Sequence, residues 1–307
     1  MAENTTNSVR TGLVQGIAAY AMWGLLPIYF AALHGVGSVE VVAHRIVWSV
    51  LFLLVLVMAL GRLARLGSAI ANPRLVAMLA LSAALISVNW LIYIWAVQNH
   101  HVLAGSLGYF LNPLVNVLLG MAVLGERLNR AQTVAVLLAA SGVAVLAASA
   151  GGGLWISLSL ALSFGFYGLV RKLAPVDSLG GLTIETAWLA PFAALYLVLH
   201  PAGAFGTTAS LSLLLSLAGV FTATPLLLFA GAARRLPLST LGLVQYLTPT
   251  AQFVLAVTFF GEALTTAHLI CFALIWAGLA VYAIDGGLGS VRLWRNRPRP
   301  APPPGHP

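Results

Sequence analysis

Apolar residues run through this chain in long blocks, separated by short polar stretches. A helix needs roughly 20 apolar residues to cross ~30 Å of hydrocarbon. Ten blocks reach that length, at approximately 12–33, 39–60, 75–97, 103–124, 131–149, 154–173, 180–199, 211–232, 239–260 and 265–285. Short connections make successive helices antiparallel neighbours. The pattern predicts an all-α integral membrane protein of ten transmembrane helices. Residues 1–11 are polar and lack the short apolar core and cleavage site of a removable signal peptide, so the first block is expected to stay as the first span. Over 286–307 the chain turns basic and proline-rich, a composition expected to be disordered.

The basic residues fix an orientation. Fourteen of the 15 Lys and Arg fall before span 1 or at the ends of spans 2, 4, 6, 8 and 10, all on one side if there are ten spans. The opposite loops carry none. The positive-inside rule then puts both termini in the cytoplasm. Arg45 is the exception, inside span 2.

The chain also repeats itself. A shift of 136 residues lays Gly125–Glu126 on Gly261–Glu262, Pro113 on Pro249, Asn112 on Thr248, Asn116 on Gln252 and Leu107 on Leu243. A shift of 144 lays Trp23–Gly24 on Tyr167–Gly168. Spans 1–5 (residues 12–149) therefore match spans 6–10 (154–285), joined by Gly151–Gly152–Gly153 as a flexible link. Five is odd, so the second copy enters the membrane from the other side, a plan common among secondary transporters.

Composition narrows the classes. Hydrophobic types make up 60% and charged types 7%, against about 25% charged in an ordinary soluble domain. A cytosolic enzyme, a secreted disulfide scaffold and a disordered chain are excluded. The net charge of +8 is spread over short loops, so it reads as a topology signal and not as a nucleic-acid surface. The single cysteine, Cys271, permits no disulfide within the chain. No cofactor or metal motif is found, and adjacent His100 and His101 do not specify a metal.

Pro113 and Pro249 near the middle of spans 4 and 9 are expected to kink both helices and free carbonyls at membrane depth. Interrupted helices at matching places in two halves point to a transport site. Asn112 and Asn116 flank the first proline, and Gln245, Thr248, Thr250 and Gln252 the second. Asn89, Trp90 and Tyr93 in span 3, with Tyr109 four residues before Pro113, complete a candidate substrate-binding set of amides and aromatic rings. Trp95 and Gln98 read instead as an interfacial belt. Charges within a span cost on the order of 3 kcal/mol and line cavities or pair. Glu40, His44 and Arg45 in span 2 and Glu185 in span 7 are thus candidates for proton coupling or for recognising substrate charge; the alternative is a structural or snorkelling role. Glu126 and Glu262 are expected at the interface, turning the chain.

Several segments carry a family resemblance. Asn89 to Val97, Ser106 to Phe110 followed by Asn112–Pro113–Leu114, Ser163 to Lys172, Ala43–His44–Arg45, Glu185–Thr186 and Ala233 to Ser239 resemble the RarD subfamily. That subfamily belongs to the EamA group of the drug/metabolite transporter superfamily. The resemblance covers roughly residues 12 to 285. It implies ten helices in two inverted EamA-like repeats, a bacterial inner-membrane permease, and a label drawn from a chloramphenicol phenotype.

The expected function is secondary transport of small organic metabolites or drugs by alternating access, with proton coupling a further expectation. The partners are a small-molecule substrate, the bilayer and protons, with no nucleic acid; the chain acts as a monomer or homodimer. The rivals are an intramembrane enzyme, for which no nucleophile, base or metal ligands stand at recognisable spacing, and a non-transporting membrane scaffold.

Overall fold

The computed structural model describes residues 2–33, 35–98, 102–149, 154–201, 203–259 and 265–295, some of them by backbone alone. These residues form twelve α-helices: α1 (Ala2–Ala31), α2 (Ser38–Ala59), α3 (Leu63–Ile70), α4 (Pro73–Gln98), α5 (Val102–Leu124), α6 (Arg130–Ser149), α7 (Leu154–Leu173), α8 (Ser178–Leu199), α9 (Ala209–Arg235), α10 (Leu238–Gln245), α11 (Leu247–Thr258) and α12 (Thr266–Arg295). No strand occurs among the described residues.

Eight of the helices, α1, α2 and α4 to α9, are long and apolar enough to cross a membrane; in α12 the apolar part, Thr266–Tyr282, is shorter. Apolar side chains cover the outside of the bundle: Phe192 is 72% exposed and Val198 74%. Lipid takes the place of water against such a surface. The molecule is a multi-pass membrane protein.

Where the structure departs from the sequence pattern, local chemistry accounts for most of it. The predicted ninth span is two helices. α10 has 8 residues and α11 has 12, and they meet at Tyr246. Pro249 has no N–H for the Gln245 carbonyl four residues back, and its ring crowds that carbonyl, so the helix breaks just before it. Pro113 sits inside an unbroken α5, so the matched prolines do not give matched breaks. Prolines also lie inside α1 (Pro27), α8 (Pro191) and α9 (Pro225). Helix α3 is an addition to the predicted loop after span 2. Both terminal helices run past their apolar blocks, α1 from Ala2 and α12 to Arg295, because no proline stands in either extension. The proline-rich end of the tail lies outside the described residues, as do His100, His101, the triple-glycine link and Glu262.

Side-chain caps set several helix starts. Asn129 and Gln132 exchange side-chain to backbone bonds of 2.8 and 2.9 Å at the start of α6, a reciprocal capping box. Asp177 accepts from the Gly180 N–H at 2.9 Å to start α8, and Thr208 accepts from Leu211 at 3.2 Å to start α9.

The helices pack as α1 on α9 and α11, α2 on α8 and α9, α4 on α7 and α8, α5 on α7 and α10, and α6 on α12. Glycines let backbones approach, as expected where lipid supplies no hydrophobic drive. A Cβ on Gly142 of α6 would stand 2.9 Å from the Cys271 carbonyl oxygen of α12. Reciprocally, one on Gly278 of α12 would stand 2.8 Å from the Ala135 carbonyl oxygen of α6.

Candidate functional site

Two sets of long-range contacts mark opposite ends of the bundle. At the first, Glu126 after α5 accepts from the Leu238 N–H (2.6 Å), the Ser239 N–H (2.9 Å) and the Ser239 hydroxyl (2.7 Å). The two N–H groups are orphan donors of the first turn of α10, where a carboxylate is favoured by the helix dipole. Lys172 donates to the Ala233 and Leu236 carbonyls, Arg234 to the Val176 carbonyl, and Arg235 to Gln15. Arg62 lies 3.6 Å from Asp177. We call this the basic end. At the far end, Glu40 accepts from the Ala204 N–H at 2.5 Å, the His44 ring stacks on Phe205 (5.1 Å between centroids), and Tyr29 donates to the Leu214 carbonyl at 2.9 Å.

Toward the basic end the centre is closed by apolar packing of Leu53, Val57, Tyr167, Phe229, Leu238 and Leu241, all fully or almost fully buried. On the far-end side of this packing the described side chains leave a space. A cavity of about 450 Å³ lies between α1, α2, α4, α5, α7, α9, α10 and α11. Its walls are aromatic: Tyr20, Trp23, Phe30, Trp90, Tyr93, Tyr109 and Phe164. Asn89, Asn112, Gln245, Thr248, Gln252, Thr222 and Arg45 supply the polar points. Volume and lining suit a small organic ligand.

Several of the polar groups are held by local bonds. Asn89 Nδ2 donates to the Leu160 carbonyl (2.9 Å) and Ser163 hydroxyl (3.0 Å), pinning α4 to α7. The Thr248 hydroxyl donates to the Tyr20 carbonyl at 2.8 Å, pinning α11 to α1. Asn112 Oδ1 is buried without a hydrogen-bond donor among the described residues. Tyr93 and Tyr109 stack edge to face, 5.5 Å apart. Arg45 Nε donates to Thr222 at 2.8 Å, and its guanidinium lies over the rings of Trp90 and Phe30, 5.1 and 5.5 Å from their centroids.

A narrow cleft shares Ile86, Trp90, Thr222 and Leu226 with this cavity and runs to Glu185. Glu185 Oε1 accepts from Arg171 Nη1 at 3.3 Å, and both side chains are buried. Arg171 also donates to the Ser178 carbonyl at 3.2 Å.

Comparison with known proteins agrees with this architecture. The EamA-like transporter family matches residues 10–148. The protein RarD of Escherichia coli strain K12 is 48% identical over 283 residues, covering 90% of this chain and 95% of its own length. The chain belongs to the RarD subfamily of the EamA-like transporters. An uncharacterized transporter of Vibrio cholerae is 46% identical over 90% of this chain and 93% of its own. The chloramphenicol-sensitive protein RarD of Pseudomonas aeruginosa is 35% identical, covering 94% and 97%. A solved crystal structure at 19% identity shares the fold, with a TM-score of 0.68 over 89% of this chain and 96% of that one.

Within this RarD-subfamily chain, the cavity collects Asn89, Trp90, Tyr93, Tyr109, Asn112, Gln245, Thr248, Gln252, Pro249 and Arg45 from the sequence-derived set. Asn116 lies just outside it, fully buried and bonded to Gln245. Glu40 and His44 stand away from it, engaged with the loop after α8, and Glu185 sits at the end of the side cleft. Pro113 does not line it. The side chains of Trp95 and Gln98 lie outside the described residues. Sequence reasoning missed Tyr20, Trp23, Phe30, Phe164 and Thr222. The Trp23–Gly24 match to Tyr167–Gly168 and the prolines Pro27 and Pro225 near these positions were the available signals.

Proposed function

We propose that the chain is a secondary transporter that carries a small organic molecule across the bacterial inner membrane by alternating access. The observation that carries this reading is the aromatic cavity of about 450 Å³ at the centre of the bundle, sealed toward the basic end by apolar packing. The two halves, 12–149 and 154–285, act as inverted five-helix repeats, and α10 with α11 counts as one of ten spans. Reciprocal packing supports this. Exchanging the halves turns the α4–α7 contact into α9–α1, and the α5–α7 contact into α10–α1 and α11–α1. The same exchange, a shift of 136, turns the Gly142–Cys271 approach into Gly278–Ala135. The basic end is the cytoplasmic face and holds both termini, so the cavity is shut off from the cytoplasm in this state.

The wall offers amides, phenols, Thr hydroxyls and Arg45, a set that binds without a nucleophile–base pair, and this favours transport over catalysis. Glu185 is the coupling group in this reading. Protonating it weakens its hold on Arg171 and loosens α7 from α8 at the closed end. The test is a thermal-shift screen of purified protein against metabolites and antibiotics, chloramphenicol included because of one relative's name, followed by uptake of any hit into proteoliposomes. A hit that binds and accumulates only in protein-containing vesicles supports the reading. Binding with no flux in either direction overturns it in favour of a scaffold or receptor.

A further inference from the structure

We propose that the cavity is built for an organic anion, with Arg45 as its counter-charge. This rests on the cavity being the cargo site and adds the charge of the cargo. Arg45 is the one charged side chain that lines the cavity among the described residues. A guanidinium has five N–H donors in a planar fork. Nε is spent on Thr222, and no other hydrogen bond from Arg45 is made within the described residues. No described carboxylate answers the charge. The described ion pairs are Arg62 with Asp177 and Arg171 with Glu185, and Glu40, one turn back along α2, is taken by the Ala204 N–H.

The head of Arg45 does not snorkel toward the interface. It turns inward to α9 and lies between the rings of Phe30 and Trp90. Those faces offset part of its desolvation. The free edge of the fork matches a carboxylate or phosphate in two-point geometry. The Tyr93 and Tyr109 rings beside it fit an apolar or aromatic body attached to that anion. A neutral solute leaves the fork unpaired, and a cation is repelled.

The test uses full-length protein in phosphatidylcholine nanodiscs and a matched series of probes: phenylacetate, 2-phenylacetamide and phenethylammonium. One benzyl body is presented with an anionic, a neutral amide and a cationic head, and binding is read as a thermal shift. A charge-assisted bond predicts that phenylacetate binds about tenfold tighter than its amide or more. The Arg45→Gln variant should lose that preference and keep weak amide binding, and Arg45→Lys should keep part of it. If this variant fails to fold, the wild-type series decides alone. Equal binding of acid and amide overturns the anion assignment and leaves the cavity as a ligand site. No binding by any of the three overturns both. A net anionic lipid headgroup shares the chemistry, so the series is repeated with phosphatidylglycerol present. Loss of the acid's advantage only there supports an anion site and names a headgroup as its occupant.

Discussion

Asn116 Nδ2 donates a 2.7 Å hydrogen bond to Gln245 Oε1, tying α5 to α10 at the cavity floor. The 136-residue shift lays Asn116 on Gln252 and Tyr109 on Gln245. Tyr109 and Gln252 both line the cavity. In an inverted repeat this second pair is the mirror of the first. Alternating access by such a repeat predicts that it closes as the Asn116–Gln245 bond opens. An intramembrane hydrogen bond is worth about 0.6–1.7 kcal/mol, or a roughly threefold to twentyfold change in population. Asn116→Ala should therefore raise thiol labelling of a cysteine placed at Leu241 from the basic end by that factor, in a Cys271→Ser background. Gln252→Ala should lower it. Both variants moving the rate in the same direction would count against the mirrored gates.

Glu126 holds the other lock at the basic end. Its two oxygens receive three hydrogen bonds from Leu238 and Ser239. Removing such a cap costs about 0.5–2 kcal/mol. Glu126→Ala should lower the melting temperature and raise labelling at Leu241→Cys. Ser239→Ala removes one of the three bonds, and its effect should be the smaller of the two. A Glu126→Ala protein with unchanged melting and unchanged labelling would assign the carboxylate no gating role.

How much of this was legible in the chain depends on whether the determinant is local. Span lengths, the odd Arg45 and the paired prolines are properties of single segments, and they led to the helices and to most of the cavity polar groups. The break at Tyr246 was half legible: Pro249 marked it, yet its partner Pro113 leaves α5 whole. Phe30, Phe164 and Thr222 were not legible. A Phe facing lipid and a Phe facing a cavity look alike in an apolar block, and only the packing of α1, α7 and α9 separates them. The partner of Glu40 was not legible for a related reason. Glu40 is a charge at the start of a span, and nothing nearby in sequence announces that Ala204, 164 residues on, brings its N–H to it.

The α6–α12 contact gives a test of the repeat that does not involve the cavity. Gly142 and Gly278 approach the opposing backbone within contact distance on either side of one interface. A larger side chain at either site must push the helices apart, at about 1–3 kcal/mol. Gly142→Val and Gly278→Val should each lower the melting temperature by similar amounts. Gly67→Ala, in the interior of α3 with open space around it, should be neutral or stabilising by about 0.5–1 kcal/mol. Unfolding followed by differential scanning fluorimetry distinguishes them; a strongly unequal pair would argue against equivalent roles in two repeats.

The Arg171–Glu185 pair offers the sharpest separation of stability from coupling. Both groups are buried, so removing one leaves an uncompensated charge, at about 3–5 kcal/mol. Arg171→Met should destabilise by that order, and Arg171→Met with Glu185→Met should regain most of it, because the orphaned carboxylate is gone. Glu185→Gln is different. It keeps the shape and an acceptor for Arg171 Nη1 while abolishing titration, but it leaves the Arg171 charge uncompensated, so melting should fall here too. If Glu185 is the coupling proton site, this variant keeps ligand exchange across the vesicle membrane and loses accumulation driven by a pH gradient. Exchange and accumulation surviving together would move the coupling elsewhere and leave the pair as a structural clamp between α7 and α8.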